Sequence, residues 1–301
     1  MRDEQTDTLY GINPITEAVK TSKRKCFRII VEDGKKTPRL QALLALVESK
    51  NILIESIPKE EFKKRYRAFV HQGIIGYFSI KETLGLQELI TGALERSANP
   101  ILVILDGIQD PHNLGAIIRS AAAMGIQGMI LPKHRGAPLN ETVAKCSSGA
   151  IEKLPITCVP NLSNAIEELK ESGFWIVGID PEGTTSCYDF KFEMPVALLI
   201  GNEGKGIRPL LKKNCDFTLS IPMASSMNSL NASAAGAVVF YEALRQKLNK
   251  KNRMSKKPTR KQTSVTYHTY IWKKEVDRLI AAFRFFFASF CFRFFLIDGF
   301  S

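Results

Sequence analysis

The sequence predicts an α/β protein in which a parallel sheet, covered by helices on both faces, follows a smaller α/β unit. Three observations lead to this. Residues 101–106 (ILVILD), 128–131 (GMIL), 174–180 (FWIVGID) and 196–201 (VALLIG) are continuous apolar runs, each followed by turn residues and a helix-like stretch. Strands buried on both faces read this way, whereas half-exposed strands alternate. Residues 1–80 instead mix short helical and strand patterns, and a chain of 301 residues has room for two domains, each with its own core.

In chain order, the first unit (1–82) is expected to hold a helix over 13–20, a strand over 27–31, a helix over 39–48, and strands over 52–57 and 73–80. Residues 83–99 are expected to be a linker, with Gly85, Gly92 and Asn99-Pro100 as breakers around a short amphipathic helix. The second unit runs from 100 to 246, and Trp175, inside an apolar strand, is expected in its core. Beyond it, residues 247–261 carry eight basic residues and no acidic one, which predicts a disordered arm. Nine of the chain's 18 phenylalanines then fall within 283–300. Arg284 and Arg293 interrupt that apolar stretch. Each would cost about 2.5–3.5 kcal/mol near a bilayer centre, so an extension lying at an interface, or one without a role, is expected rather than a span.

The formal charge is +12, but its distribution says more than its size. Residues 247–301 hold 13 basic and 3 acidic residues, and residues 1–82 hold 16 and 11. The middle of the chain is therefore slightly acidic, and the first unit, with Lys23, Arg24, Lys25, Lys63, Lys64, Arg65 and Arg67, is the expected surface for capturing a polyanion. Six cysteines without C-x-x-C spacing argue against a zinc or disulfide scaffold and for a reduced, cytoplasmic setting. The N-terminus shows no apolar signal region, so the sequon at Asn231 is not expected to be glycosylated.

Three segments at the carboxyl ends of predicted strands carry the chemistry, because open α/β sheets bind ligands along that edge. In the first, D-G-I-Q-D-P-H-N-L-G-A-I-I-R from Asp106, Asn113 is expected to cap a helix that carries Arg119. The second, G-N-E-G-K-G from Gly201, has glycines in an order that matches neither a dinucleotide fingerprint nor a phosphate-binding P-loop. The third joins Ile221-Pro-Met to Ser229-Leu-Asn-Ala-Ser and opens a helix of small residues that lets another backbone approach. Each segment alone is also compatible with a capped helix or a plain tight turn.

Together the segments N-x-G-x-x-x-R, G-N-E-G-x-G and I-P-M…S-L-N-x-S resemble, in order and spacing, the motifs of the SpoU (TrmH) branch of the SPOUT RNA methyltransferases. The resemblance covers residues 101–246, while residues 5–80 look like the small L30e-like α/β substrate-binding domain of the RlmB-like subfamily. It implies an α/β-knot (a deep trefoil), a homodimer, S-adenosylmethionine as methyl donor without a metal, and ribosomal RNA as partner. The implied reaction is 2′-O-methylation of a guanosine in large-subunit (23S) rRNA. A tRNA 2′-O-methyltransferase of the same family and a non-catalytic ribosome-assembly factor are the alternatives. By the same resemblance Gly201, Ile221 and Leu230 would hold the donor, and Arg119, Asn113, Glu203, Ser229 and Asn231 would serve catalysis and substrate placement. His112 is expected to face solvent, and His71 to be structural.

Overall fold

The computed structural model describes residues 6–34, 36–202, 204–224 and 229–255, with side chains as far as residue 250. The first sheet contains β1 (Thr6–Tyr10), β2 (Cys26–Glu32), β3 (Ile54–Ile57) and β4 (Ile74–Ser79), in the order β1-β4-β2-β3. Only β2 and β3 run parallel. Helices α1 (Ile12–Thr21), α2 (Pro38–Ser49) and α3 (Lys59–Tyr66) accompany it. α2 starts where the Thr37 side chain accepts a hydrogen bond from Leu40 N and Pro38 presets the first turn. The five elements expected in this unit are all present. β1 and α3 were not anticipated. The basic cluster at 63–67 is largely the outer face of α3, anchored by Phe62 and Tyr66 one turn apart, both buried.

After α4 (Leu86–Arg96), the chain builds β5 (Ile101–Leu105), α5 (Pro111–Ala123), β6 (Gly128–Pro132), α6 (Glu141–Cys146), a 3-10 turn over Ala150–Glu152 and β7 (Ile156–Val159). Then follow α7 (Leu162–Glu171), β8 (Trp175–Ile179), β9 (Thr185–Ser186), β10 (Val196–Ile200), α8 (Pro209–Lys213), β11 (Phe217–Ser220) and α9 (Ala232–Ser255). The seven strands are all parallel, in the order β7-β6-β5-β10-β8-β11-β9. Strand β5 shows why its sequence is unbroken apolar. Ile101, Val103 and Leu105 join the core under α5, while Leu102 and Ile104 join a second core with Leu89 and Ile90 of α4 and Ile166 and Leu169 of α7. The segment read as a linker is thus part of this sheet's cover. It is tied down by Leu84 N donating to Ile156 O at 2.9 Å and by the Thr157 hydroxyl donating to Leu84 O at 2.7 Å.

Two expectations fail on burial. Trp175 is 46% exposed: it opens β8 at the amino end of the sheet, past the helix cover, and leans on Phe217 with 5.5 Å between ring centroids. Arg24, counted among the RNA-capturing charges, is only 7% exposed. Its guanidinium donates to Ser79 O, Asp7 and Glu152, the last a residue of the second sheet's 3-10 turn that is 1% exposed. A buried arginine with three acceptors serves the junction between the two sheets, where its charge is already matched. His71 is structural, as expected: its Nδ1 accepts from Gly73 N, and its ring packs edge-on against Phe62. Among the described residues no helix is long and apolar enough to cross a membrane. The start of the segment expected to be a disordered arm, residues 247–255, instead continues α9, and the rest of the 247–301 extension lies outside the described residues.

Candidate active site

A cleft of about 1190 Å³ opens at the carboxyl ends of β8, β10 and β11. Gly201, Ile221, Ser229 and Leu230 all line it, although they come from separated segments of the chain. Gly201 has to be glycine. A Cβ there would lie 2.2 Å from Gly206 C and 2.3 Å from Ile207 N, so the loop's return would be blocked by any side chain. The loop closes on itself through Asn202 N to Gly206 O at 3.0 Å and Gly206 N to Asn202 O at 2.9 Å, with Gly206 at φ +65. The Asn202 side chain ties it to the β5 end by donating to Gly107 O at 2.8 Å. The glycine spacing therefore encodes a close crossing and a left-handed turn. Glu203 lies outside the described residues.

The lip of the cleft is apolar: Met223 and Leu230 are each 37% exposed beside Ile221, a surface on which a flat apolar ligand can lie. The opposite wall is polar. Asp180 and Glu182 follow β8, and Lys212 bonds Asp180 at 2.8 Å. That hydrogen bond raises the pKa of the Lys212 ammonium. Sequence reasoning missed these three residues, although Asp180-Pro-Glu ends one of its apolar runs.

Of the polar candidates, Asn231 and Asn113 meet: Asn231 Nδ2 donates to Asn113 Oδ1 at 3.2 Å across 118 residues. Asn231 also caps α9, its Oδ1 accepting from Ser233 N at 2.9 Å. Asn113 is not the cap of α5: Asp110 occupies that position, accepting from His112 N at 2.9 Å, Pro111 takes the first turn, and Asn113 sits inside the helix with its Oδ1 accepting from Asn231. Gly115 allows α5 to press on α6, for a Cβ there would be 2.4 Å from that of Cys146. His112 is exposed, as expected, but in the first helical turn rather than a loop, with Nδ1 3.2 Å from Cys146 Sγ. Burial chiefly pushes the Cys146 thiol's pKa up, which disfavours the thiolate.

Arg119 does not line the cleft of its own chain. Six residues beyond Asn113 on α5, it is turned about 240° around the helix. It is exposed, and its guanidinium makes no ion pair or hydrogen bond among the described residues. Among those residues no group of His, Cys, Asp or Glu could hold a metal ion.

With this geometry, the sequence profile of the SpoU rRNA Methylase family matches residues 100–241, and one for RNA 2′-O ribose methyltransferase substrate binding matches residues 8–84. A Bacillus subtilis protein, YacO, assigned to the TrmH family of tRNA/rRNA methyltransferases, is 37% identical over 244 residues, 81% of this chain and 97% of its own. The chain belongs to the SpoU (TrmH) family of RNA methyltransferases. A Staphylococcus saprophyticus member is 37% identical over 239 residues, covering 79% of this chain and 95% of its own. The SpoU methyltransferase AviRb from Streptomyces viridochromogenes, solved with AdoMet, superposes with a TM-score of 0.65 at 27% identity, covering 81% of this chain and 91% of that one. The SpoU chain described here is thus an RNA methyltransferase that takes S-adenosylmethionine as donor. An N-terminal substrate-binding domain precedes its methyltransferase fold. The Gly201 crossing and the apolar lip suit the donor, because the adenine of such a ligand is flat and apolar and can be held by backbone groups.

Proposed function

We propose that this SpoU methyltransferase, acting in the cytoplasm as a homodimer, methylates the ribose 2′-hydroxyl of a guanosine in large-subunit (23S) ribosomal RNA. The observation that carries the reading is the substrate-binding domain over residues 8–84 ahead of a methyltransferase domain that matches an rRNA methylase family. A tRNA substrate remains the alternative, since the relatives' names cover both RNAs.

The bound donor supplies an electrophilic methyl on a sulfonium, so activation falls on the acceptor. A ribose hydroxyl becomes a nucleophile only as its proton leaves and the developing charge is met. Arg119 cannot be the base, because guanidinium stays protonated. In our reading it grips an RNA phosphate and steadies the alkoxide, while a phosphate oxygen or a water accepts the proton. Asn113, Glu203, Ser229 and Asn231 orient the ribose, and Gly201, Ile221 and Leu230 hold the donor. The orientation of Arg119 away from its own cleft supports a dimer in which each chain lends this side chain to its partner's site. Val238 and Tyr241, exposed three residues apart on α9, give such a dimer an apolar face. A C-terminal chain threaded as a trefoil knot belongs to the same proposal, in keeping with Ile221 and Leu230 lining the cleft beside Gly201 and Gly206. Mapping ribose methylation in ribosomal RNA with and without the gene tests the reading: loss of one 2′-O-methyl from a 23S guanosine is expected, and an unchanged rRNA map with a lost tRNA methyl would refute it.

A further inference from the structure

A second pocket of about 590 Å³ adjoins the donor cleft and has no part in the reading above. It lies at the carboxyl ends of β5, β6 and β7, the edge where parallel sheets bind ligands. Asn202, Lys205 and Gly206 line both cavities, so a single loop separates them. Its rim is cationic. Among the described residues Arg135 and Lys205 have no carboxylate partner. The acid of the pocket, Asp106, is buried and committed, accepting from Arg208 Nε at 2.7 Å and Arg208 N at 3.0 Å. It therefore repels an incoming anion little. Arg135 stands at φ +65, a left-handed backbone that a side-chain-bearing residue rarely adopts. Strained positions of this sort gather at ligand sites. The floor is fixed as well, with Gly107 at φ +76 and its carbonyl held by Asn202.

We propose that this pocket seats a phosphodiester of the RNA strand next to the nucleotide being methylated, with Arg135 and Lys205 as the anion's ligands. One loop between the cavities is the separation that neighbouring groups of a single strand can bridge. A guanidinium meets a phosphate through two parallel hydrogen bonds. Contacts of this kind position a nucleic acid rather than read its sequence. Arg135 is thus a positioning residue for the acceptor strand, which deepens the RNA-methyltransferase reading and rests on it.

Arg135→Gly isolates the charge, since glycine keeps the left-handed backbone at no steric cost, and Arg135→Lys restores the charge. With unmodified ribosomal RNA transcribed in vitro, Arg135→Gly is expected to weaken binding about tenfold at moderate salt. It should lower the slope of log affinity against log salt by about 0.7–0.9, the release of one phosphate's counterions. Arg135→Lys should recover most of both, and S-adenosylmethionine binding by calorimetry should be unchanged in either variant. RNA carrying 4-thiouridine should photocross-link to the peptide spanning 133–137. Unchanged affinity and salt slope in Arg135→Gly, while the wild type binds and methylates RNA, would overturn the pocket and leave the methyltransferase reading intact. Failure of the wild type to bind RNA would overturn both.

Discussion

Two regions of the molecule treat charge in opposite ways. At the junction between the sheets, Arg24, Asp7 and Glu152 are drawn together with the Ser79 carbonyl, and Glu17 pairs with Lys153 at 2.7 Å. Elsewhere, Arg119 on α5 and Arg135 at the second pocket stand in solvent without a carboxylate partner among the described residues. A charge buried with its partner holds the molecule in one arrangement, whereas a charge left open is available to a polyanion. The same residue type therefore answers two questions, and burial decides which.

The largest effect is expected at the closed end. Arg24→Ala would strand Glu152 in the interior and should cost about 3–5 kcal/mol by urea unfolding. A loss under about 1 kcal/mol would mean that the junction is hydrated, and the contrast would dissolve. At the open end, Arg119→Ala should slow methyl transfer about 100-fold, near 2.7 kcal/mol in barrier, while the unfolding midpoint stays put. Wild-type rates would remove Arg119 from the site. Asn231 belongs to both classes. As cap of α9, its replacement by alanine should cost about 1 kcal/mol of stability and also lower the methylation rate through the lost Asn113 contact. A stability loss without a rate change would leave it a cap alone.

The smallest effect concerns His71 at the junction's margin. Burial holds its imidazole pKa below the ordinary value of about 6.5, so the unfolded chain binds the proton more readily than the folded one. The stability that neutral His71 confers is then complete above about pH 6.5, and it is lost as pH falls from there through the folded value. Urea midpoints between pH 7.5 and 5 should decline in the wild type, and less so in His71→Gln. Equal slopes would assign the acid sensitivity to other groups.

The parts of this architecture that could be read from the sequence were those where one physical cause dominates a segment. Strands β5, β6, β8 and β10 are buried on both faces, so their composition announced them. β9 has two residues and β1 reads Thr-Asp-Thr-Leu-Tyr, too short or too polar to stand out. In α3, six charges hid the Phe62–Tyr66 anchor. At the site, Gly201 was singled out by its motif alone, and the crossing of the loop's return over it supplies the physical reason why glycine stands there. The Asn113–Asn231 contact was not legible from local signals, and the local rule that makes asparagine a cap misplaced Asn113 three residues inside its helix. Arg24 and Trp175 were misread for a shared reason: composition gives a residue's preference, but position in the assembled layers decides its burial.

The helix over Leu86–Arg96 limits how this protein could be divided. Leu89, Ile90 and Ala93 roof one side of β5 and β6, so a fragment beginning at residue 100 would leave Leu102, Ile104 and Ile130 wet. Chain shuffling that grafts the catalytic half onto another recognition module has to cut before Leu84, and a shorter relative lacking this helix must close the same hole with a segment from elsewhere.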